Sequence, residues 1–119
     1  MTDRRALGEY GERLAARYLT ESGWEVLDRN WRCPVGEIDL VARDGDCLVV
    51  CEVKTRRTTG FGGPVAAVTP VKAARLRRLA GCWVEAHPDT GTDDLRIDVV
   101  AVLCPPGRPA EVEHLTAVA

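Results

Sequence analysis

The sequence predicts a single α/β domain over residues 1–119, in the order αβββαβ, with a mixed sheet flanked by helices. Three observations predict it. Apolar residues recur at helical spacing over residues 3–22 and again after Thr69. Three short runs of strand character, 24–29, 37–43 and 47–54, lie between those helices. A fourth run, Leu95–Leu103, follows the second helix, which makes that helix a crossover and pairs the third and fourth strands in parallel.

In the first helix, Leu7, Tyr10, Leu14 and Tyr18, with Ala15 and Leu19, form the expected apolar stripe. Thr2 or Asp3 can cap it and Gly23 ends it. Trp24 to Arg29 is the first strand, and Asn30–Gly36, containing Pro34, is the expected link to a hairpin. Asp44-Gly45 between two apolar runs predicts a two-residue turn, because only residues tolerant of positive φ make such a turn cheaply. Residues 55–68 are a Gly-rich loop. The second helix starts at Thr69 as cap with Pro70 in the first turn, carries Leu76, Leu79, Ala80 and Trp83 inward, and ends near His87-Pro88. In the last long strand Leu95, Ile97, Val99, Ala101 and Leu103 share a face, while Asp98 lies on the other and serves structure, paired with Arg96 or a helix base. Residues 110–118 add a weak edge strand.

Composition narrows the class. A hydrophobic share of 45% with 29% charged residues fits an ordinary globular domain. No apolar run approaches the ~20 residues of a membrane span, and the charged N-terminus lacks a signal-peptide core, so a cytoplasmic protein is expected. Five cysteines (Cys33, Cys47, Cys51, Cys82, Cys104) without a Cys-x-x-Cys pair point to free thiols rather than a disulfide frame or zinc site. Net charge is −2, yet Lys54 to Arg78 holds seven basic residues and no acid, leaving nine basic against eighteen acidic residues elsewhere. That asymmetry predicts a local positive surface suited to a polyanion, or else a solvated helix face beside a basic loop.

The chemistry lies in the hairpin. Gly36-Glu37-Ile38-Asp39-Leu40-Val41 and Glu52-Val53-Lys54 put charged side chains into strands, where they are depleted unless something holds them. A turn at Asp44-Gly45 pairs residues whose numbers sum to 89, setting Glu37 opposite Glu52 and Asp39 opposite Val50. Alternation then places Glu37, Asp39, Val50, Glu52 and Lys54 on one face, with Ile38, Leu40, Val49, Cys51 and Val53 on the other. Asp39 and Glu52 become diagonal neighbours about 7–8 Å apart, close enough to share one ion. Mg²⁺ is commonly held by one or two carboxylates, water and substrate phosphate. Two carboxylates and a lysine therefore suit phosphodiester hydrolysis, and an exposed sheet edge with ordinary ion pairs is the competing reading. Other chemistries lack their parts. Ser22 is the only serine, the two histidines sit near a proline and in the tail, and no phosphate loop or dinucleotide fingerprint is present.

These residues resemble the restriction-endonuclease-like, or PD-(D/E)xK, nuclease superfamily. More narrowly they resemble the YraN-like family of predicted endonucleases, itself similar to archaeal Holliday-junction resolvases. The resemblance rests on Gly11-Glu12-x-x-Ala15, Asn30-x-Arg32, Gly36-Glu37-Ile38-Asp39-Leu40, Glu52-Val53-Lys54-x-Arg56, Phe61-Gly62, Lys72 and Arg96-x-Asp98-Val99-Val100. Cys51, where a bulkier apolar residue is expected, is its one departure. The resemblance implies a restriction-endonuclease-like fold in which Asp39 and Glu52, with the backbone carbonyl of Val53, hold Mg²⁺ or Mn²⁺. It implies Lys54 beside the attacking water and Glu12 as a metal or water contact. Glu37 is a neighbour that supports the site or raises a carboxylate pKa. Arg56, Arg57, Lys72, Arg75 and Arg78 are expected against the DNA backbone, and Phe61 either stacks on a base or anchors its loop. The expected partner is DNA, branched or damaged; no membrane is expected, and a homodimer stands open beside a monomer. A non-catalytic nucleic-acid- or partner-binding module and a phosphohydrolase of small nucleotides are the competing functions.

Overall fold

The computed structural model describes residues 4–58 and 68–118. Its elements are α1 (Arg4–Glu21), β1 (Glu25–Cys33), β2 (Gly36–Asp44), β3 (Cys47–Arg56), α2 (Pro70–Ala86), β4 (Asp94–Leu103) and β5 (Glu111–Leu115). They form one five-stranded mixed sheet in the order β1-β2-β3-β4-β5. The crossover through α2 makes β3 and β4 parallel, and every other neighbouring pair is antiparallel. The expected fold class is thus the observed one. Among the described residues no helix is long and apolar enough to cross a membrane.

The two helices lie on opposite faces, so the middle strands are buried on both sides and read as nearly continuous apolar runs. Leu40, Ala42, Val49, Cys51, Val100 and Val102 pack under α1 with Ala15, Ala16 and Leu19. Val41, Leu48, Val50 and Ile97 pack under α2 with Leu76, Leu79, Ala80 and Trp83. Both helix ends follow local chemistry. The Thr69 hydroxyl accepts a hydrogen bond from the Lys72 amide at 3.1 Å, Pro70 fills the first turn, and His87 closes the far end of α2.

Helix α1 keeps Leu14, Ala15, Tyr18 and Leu19 of the expected stripe against the sheet but turns Tyr10 outward. Tyr10 is 43% exposed, and the buried line is Gly11, Ala15, Ala16 and Leu19. Small residues win because the helix lies directly on β3. A Cβ at Gly11 would come within 1.8 Å of Thr55 Oγ1, a separation that no side chain can occupy.

Strand β1 runs four residues beyond the expected end. Its turn to β2 is Pro34-Val35, so Asn30–Cys33 is strand rather than linker. Asn30 carries a φ of 50°, the left-handed region that asparagine tolerates better than most residues. At that point the strand faces change hands. Ile38, expected beside Leu40, packs on the α2 side instead. Leu95, expected on one face with Ile97, is 41% exposed at the start of β4.

Among the described residues the buried charged side chain is Asp98, fully enclosed in β4. It accepts a bidentate pair from Arg96 at 2.9 and 3.0 Å, a hydrogen bond with His114 Nε2 at 2.7 Å, and the Ala117 amide at 2.9 Å. His114 Nδ1 meets the Tyr18 hydroxyl at 3.2 Å, and Arg96 lies over the Trp24 ring. Asp98 is structural, as expected, and joins α1, β4, β5 and the residues after β5. Replacing it with alanine would leave Arg96 and His114 without their shared acceptor. Asp98→Ala should cost about 3–5 kcal/mol of stability. Urea unfolding checks this, and a loss under about 1 kcal/mol would show the network to be dispensable.

Candidate active site at the fork of the sheet

The hairpin turn differs from expectation by one residue. Gly45 and Asp46 form it, with Gly45 at φ 60°, and paired residues sum to 91 rather than 89. Val41, not Asp39, faces Val50. A shift of two in that sum preserves parity, so Val41, Val50 and Glu52 keep a common face despite the different turn position. Glu52, next to Cys51 of the α1 cluster, points to the α2 side, where Lys72 meets it, while Asp39, between Leu40 of the α1 cluster and Ile38 of the α2 cluster, turns toward β3.

The β2–β3 ladder ends at Leu40↔Cys51. One step further Asp39 replaces a backbone rung with its side chain, and its carboxylate accepts the Val53 amide at 2.8 Å. The carboxylate therefore sits in the fork between two strands. Glu52 emerges on the face where α2 begins, so the first turn of that helix reaches it. Lys72 Nζ lies 2.8 Å from Glu52 Oε1, and Lys54 Nζ lies 3.8 Å from the same oxygen. All three side chains are largely covered, Glu52 most of all at 14% exposure.

The electrostatics are those of a crowded acidic site. Burial, then the charge of Glu52, push the Asp39 carboxyl up to about 7, with Glu12 and Glu37 adding to the rise and the Val53 hydrogen bond opposing it. Burial lowers the Lys54 pKa, aided by a hydrogen bond and like charge from Lys72 and opposed by Glu52 and Asp39. For Lys72 burial also acts downward, but hydrogen bonds to Glu52 and Lys54 and the charge of Glu52 outweigh it, and its pKa rises. The two lysines thus divide their roles, with Lys72 the firmer cation and Lys54 the more readily deprotonated amine.

Glu12 reaches toward this fork from α1. Burial raises its pKa, and a hydrogen bond with the left-handed Asn30 opposes that rise. Glu37 is paired with Arg32 on β1, whose Nε donates to it at 2.8 Å. Arg56, Arg57, Arg75 and Arg78 are exposed, whereas Lys72 faces into the acidic group. Phe61 lies outside the described residues. Sequence reasoning placed Lys72 on a phosphate-tracking helix face and missed its contact with Glu52. It also gave Asn30 no part in holding Glu12. Nothing local links residues 72 and 52; the crossover brings them together.

A cation fits this donor set in one way. Among the described residues no three acidic, cysteine or histidine side chains converge on a point. The available donors are Asp39, Glu52 and the Val53 carbonyl, enough for Mg²⁺ or Mn²⁺ that keeps several waters, and wrong for a closed zinc site.

The mixed five-stranded sheet with a helix on each face is an α/β fold consistent with a restriction-endonuclease-like core. Residues 11–102 match the family described as "Uncharacterised protein family UPF0102". A UPF0102 protein of Kineococcus radiotolerans is 62% identical over 113 residues, covering 95% of this chain and 93% of that one. One from Streptomyces griseus is 58% identical over 118 residues, 99% of each chain, and one from Nocardioides is 52% identical over 115 residues, 97% and 92%. The chain belongs to the UPF0102 family, the YraN family of the resemblance above.

The raised Asp39 pKa has a measurable consequence for the metal-free protein. Between its ordinary value of 3.8 and about 7, the folded state keeps a proton that the unfolded chain has released. Stability therefore falls as pH rises through that window. Asp39→Asn keeps an acceptor for Val53 and removes the charge. In a chelator it should raise the unfolding midpoint at about pH 8, with the gain shrinking toward about pH 4. Thermal unfolding across that range tests this; a gain independent of pH would place the strain elsewhere.

Proposed function

We propose that this protein is a divalent-metal-dependent endonuclease that hydrolyses phosphodiester bonds in DNA. One observation carries the reading. Asp39 and Glu52 share the mouth of a strand fork with Lys54 and Lys72, and burial, then repulsion from Glu52, raise the Asp39 carboxyl to about 7. A site of this kind gains from a bound cation. When bound, Mg²⁺ or Mn²⁺ at Asp39, Glu52 and the Val53 carbonyl polarises a phosphate oxygen and acidifies a water.

The chain's own residues supply the remainder. Lys54, with its lowered pKa, takes a proton from the attacking water or fixes its position. Lys72, retained as a cation, balances charge at the phosphate once Glu52 has another partner. Glu12, held by Asn30, orients water from the α1 side. The exposed guanidinium groups of Arg56, Arg75 and Arg78 support contact with a polymer backbone rather than enclosure of a small nucleotide.

The competing non-catalytic module has one observation in its favour. The Lys72–Glu52 ion pair at 2.8 Å already satisfies an oxygen that the cation would use. The two readings diverge at Lys54. With duplex, single-stranded, flapped and four-way DNA in Mg²⁺ or Mn²⁺, Lys54→Ala should cut single-turnover cleavage by about 10²–10⁴-fold. Its DNA affinity in Ca²⁺ should fall by less than about tenfold. Asp39→Ala and Glu52→Ala should abolish cleavage and remain folded. No wild-type cleavage of any substrate, with a large affinity loss in Lys54→Ala, would favour the binding module.

Binding should also depend on salt. Each phosphate contact contributes about 0.9 to the slope of log affinity against log salt, so Arg75→Ala with Arg78→Ala should flatten it by up to about 1.8. An unchanged slope would move the DNA surface away from α2.

A further inference from the structure

The five cysteines are not equivalent. Cys47, Cys51 and Cys104 all pack with the cluster under α1. Cys33 packs on the opposite face, with the cluster under α2 that contains Leu76, Leu79, Ala80 and Trp83. Cys82 belongs to α2 itself. The sheet therefore separates Cys33 and Cys82 from the other three thiols.

Register brings the two together. Cys33, the last residue of β1, pairs with Gly36 across the Pro34-Val35 turn. The position of a Gly36 Cβ is 3.7 Å from Leu79 Cδ1, so this turn rests directly on α2. Cys82 follows Leu79 by three residues, one helical turn along the same side. Both cysteines are free and only partly buried.

We infer that Cys33 and Cys82 form an oxidisable thiol pair that a hydroperoxide converts to an intramolecular disulfide between β1 and α2. The thiolate of one cysteine attacks the peroxide, cleaving its O–O bond, forming a sulfenic acid and releasing an alcohol, or water from hydrogen peroxide. The second thiol displaces water from that sulfur. Two thiols lose two electrons and two protons, and the peroxide is reduced by the same two electrons. Burial, then the charge of the neighbouring Cys33 sulfur and a hydrogen bond with it, raise the Cys82 pKa, which slows attack by its thiolate and leaves bridging to depend on the nearness of the two sulfurs. The bridge would close a loop between residues 33 and 82 and fix α2, which carries Lys72, to the hairpin that carries Asp39.

Hydrogen peroxide at low molar excess, followed by thiol counting in denaturant, tests the pair. The count should fall from five to three and return to five with reductant. Trypsin should then release residues 33–43 linked to residues 79–96, only before reduction. Cys33→Ser and Cys82→Ser should each prevent that link, and a variant with serine at 47, 51 and 104 should retain it. A count that stays at five, a bridge to any other cysteine, a disulfide-linked dimer, or oxidation of Cys82 to an unbridged acid would each overturn the inference.

Discussion

One hydrogen bond sets the form of the candidate site. The Val53 amide, inside a buried strand, must find an acceptor, and the acceptor is the Asp39 carboxylate rather than a carbonyl of β2. That exchange satisfies the amide while ending the β2–β3 ladder at Leu40↔Cys51. It creates a polar opening inside an otherwise apolar sheet. The same exchange holds an acidic group where desolvation and three neighbouring carboxylates oppose its charge. The site's electrostatics and its geometry therefore share a single cause.

The helices divide the remaining work. Helix α1 approaches so closely that Gly11 and Ala15 are its contact residues, which brings Glu12 toward the fork without a long side chain between helix and sheet. Helix α2 covers Val50 and Ile97, and its first turn ends over Glu52. An acidic pair placed two residues further under α2 would be fully desolvated, and one placed further out would be screened by water. Its position at the helix margin permits both burial and access.

Much of this was legible in the sequence because alternation is robust. The hairpin turn falls one residue later than the Asp44-Gly45 pattern suggests, yet the register moved by an even number, so Val50 and Glu52 keep their common face and Asp39 stays beside them at the fork. The caps of α2, the parallel β3–β4 pairing and the edge strand followed from Thr69-Pro70 and element order. What was hidden depended on contacts between distant segments. Tyr10 fits a helical stripe as well as Gly11 does, and only the presence of Thr55 on β3 decides which of them faces inward. Ile38 changes sides because Asn30 adopts a left-handed conformation, which its own sequence context does not demand. Lys72 resembles any basic residue on an exposed helix until the crossover sets it on Glu52.

The Asp98 network also bears on the order in which the chain can complete itself. Arg96 is two residues away, but His114 and the Ala117 amide lie sixteen and nineteen residues downstream. The Val118 amide, which donates to the Ile97 carbonyl, is later still. In a chain made from its N-terminus, β4 can pair with β3 while its central carboxylate still lacks two of its partners. Burial of that carboxylate must wait until residue 117 has been made. Synthesis thus delivers the stabilising clasp after the strands of the candidate site, and a chain ending between residues 103 and 114 would leave the Asp98 carboxylate without His114 and the Ala117 amide.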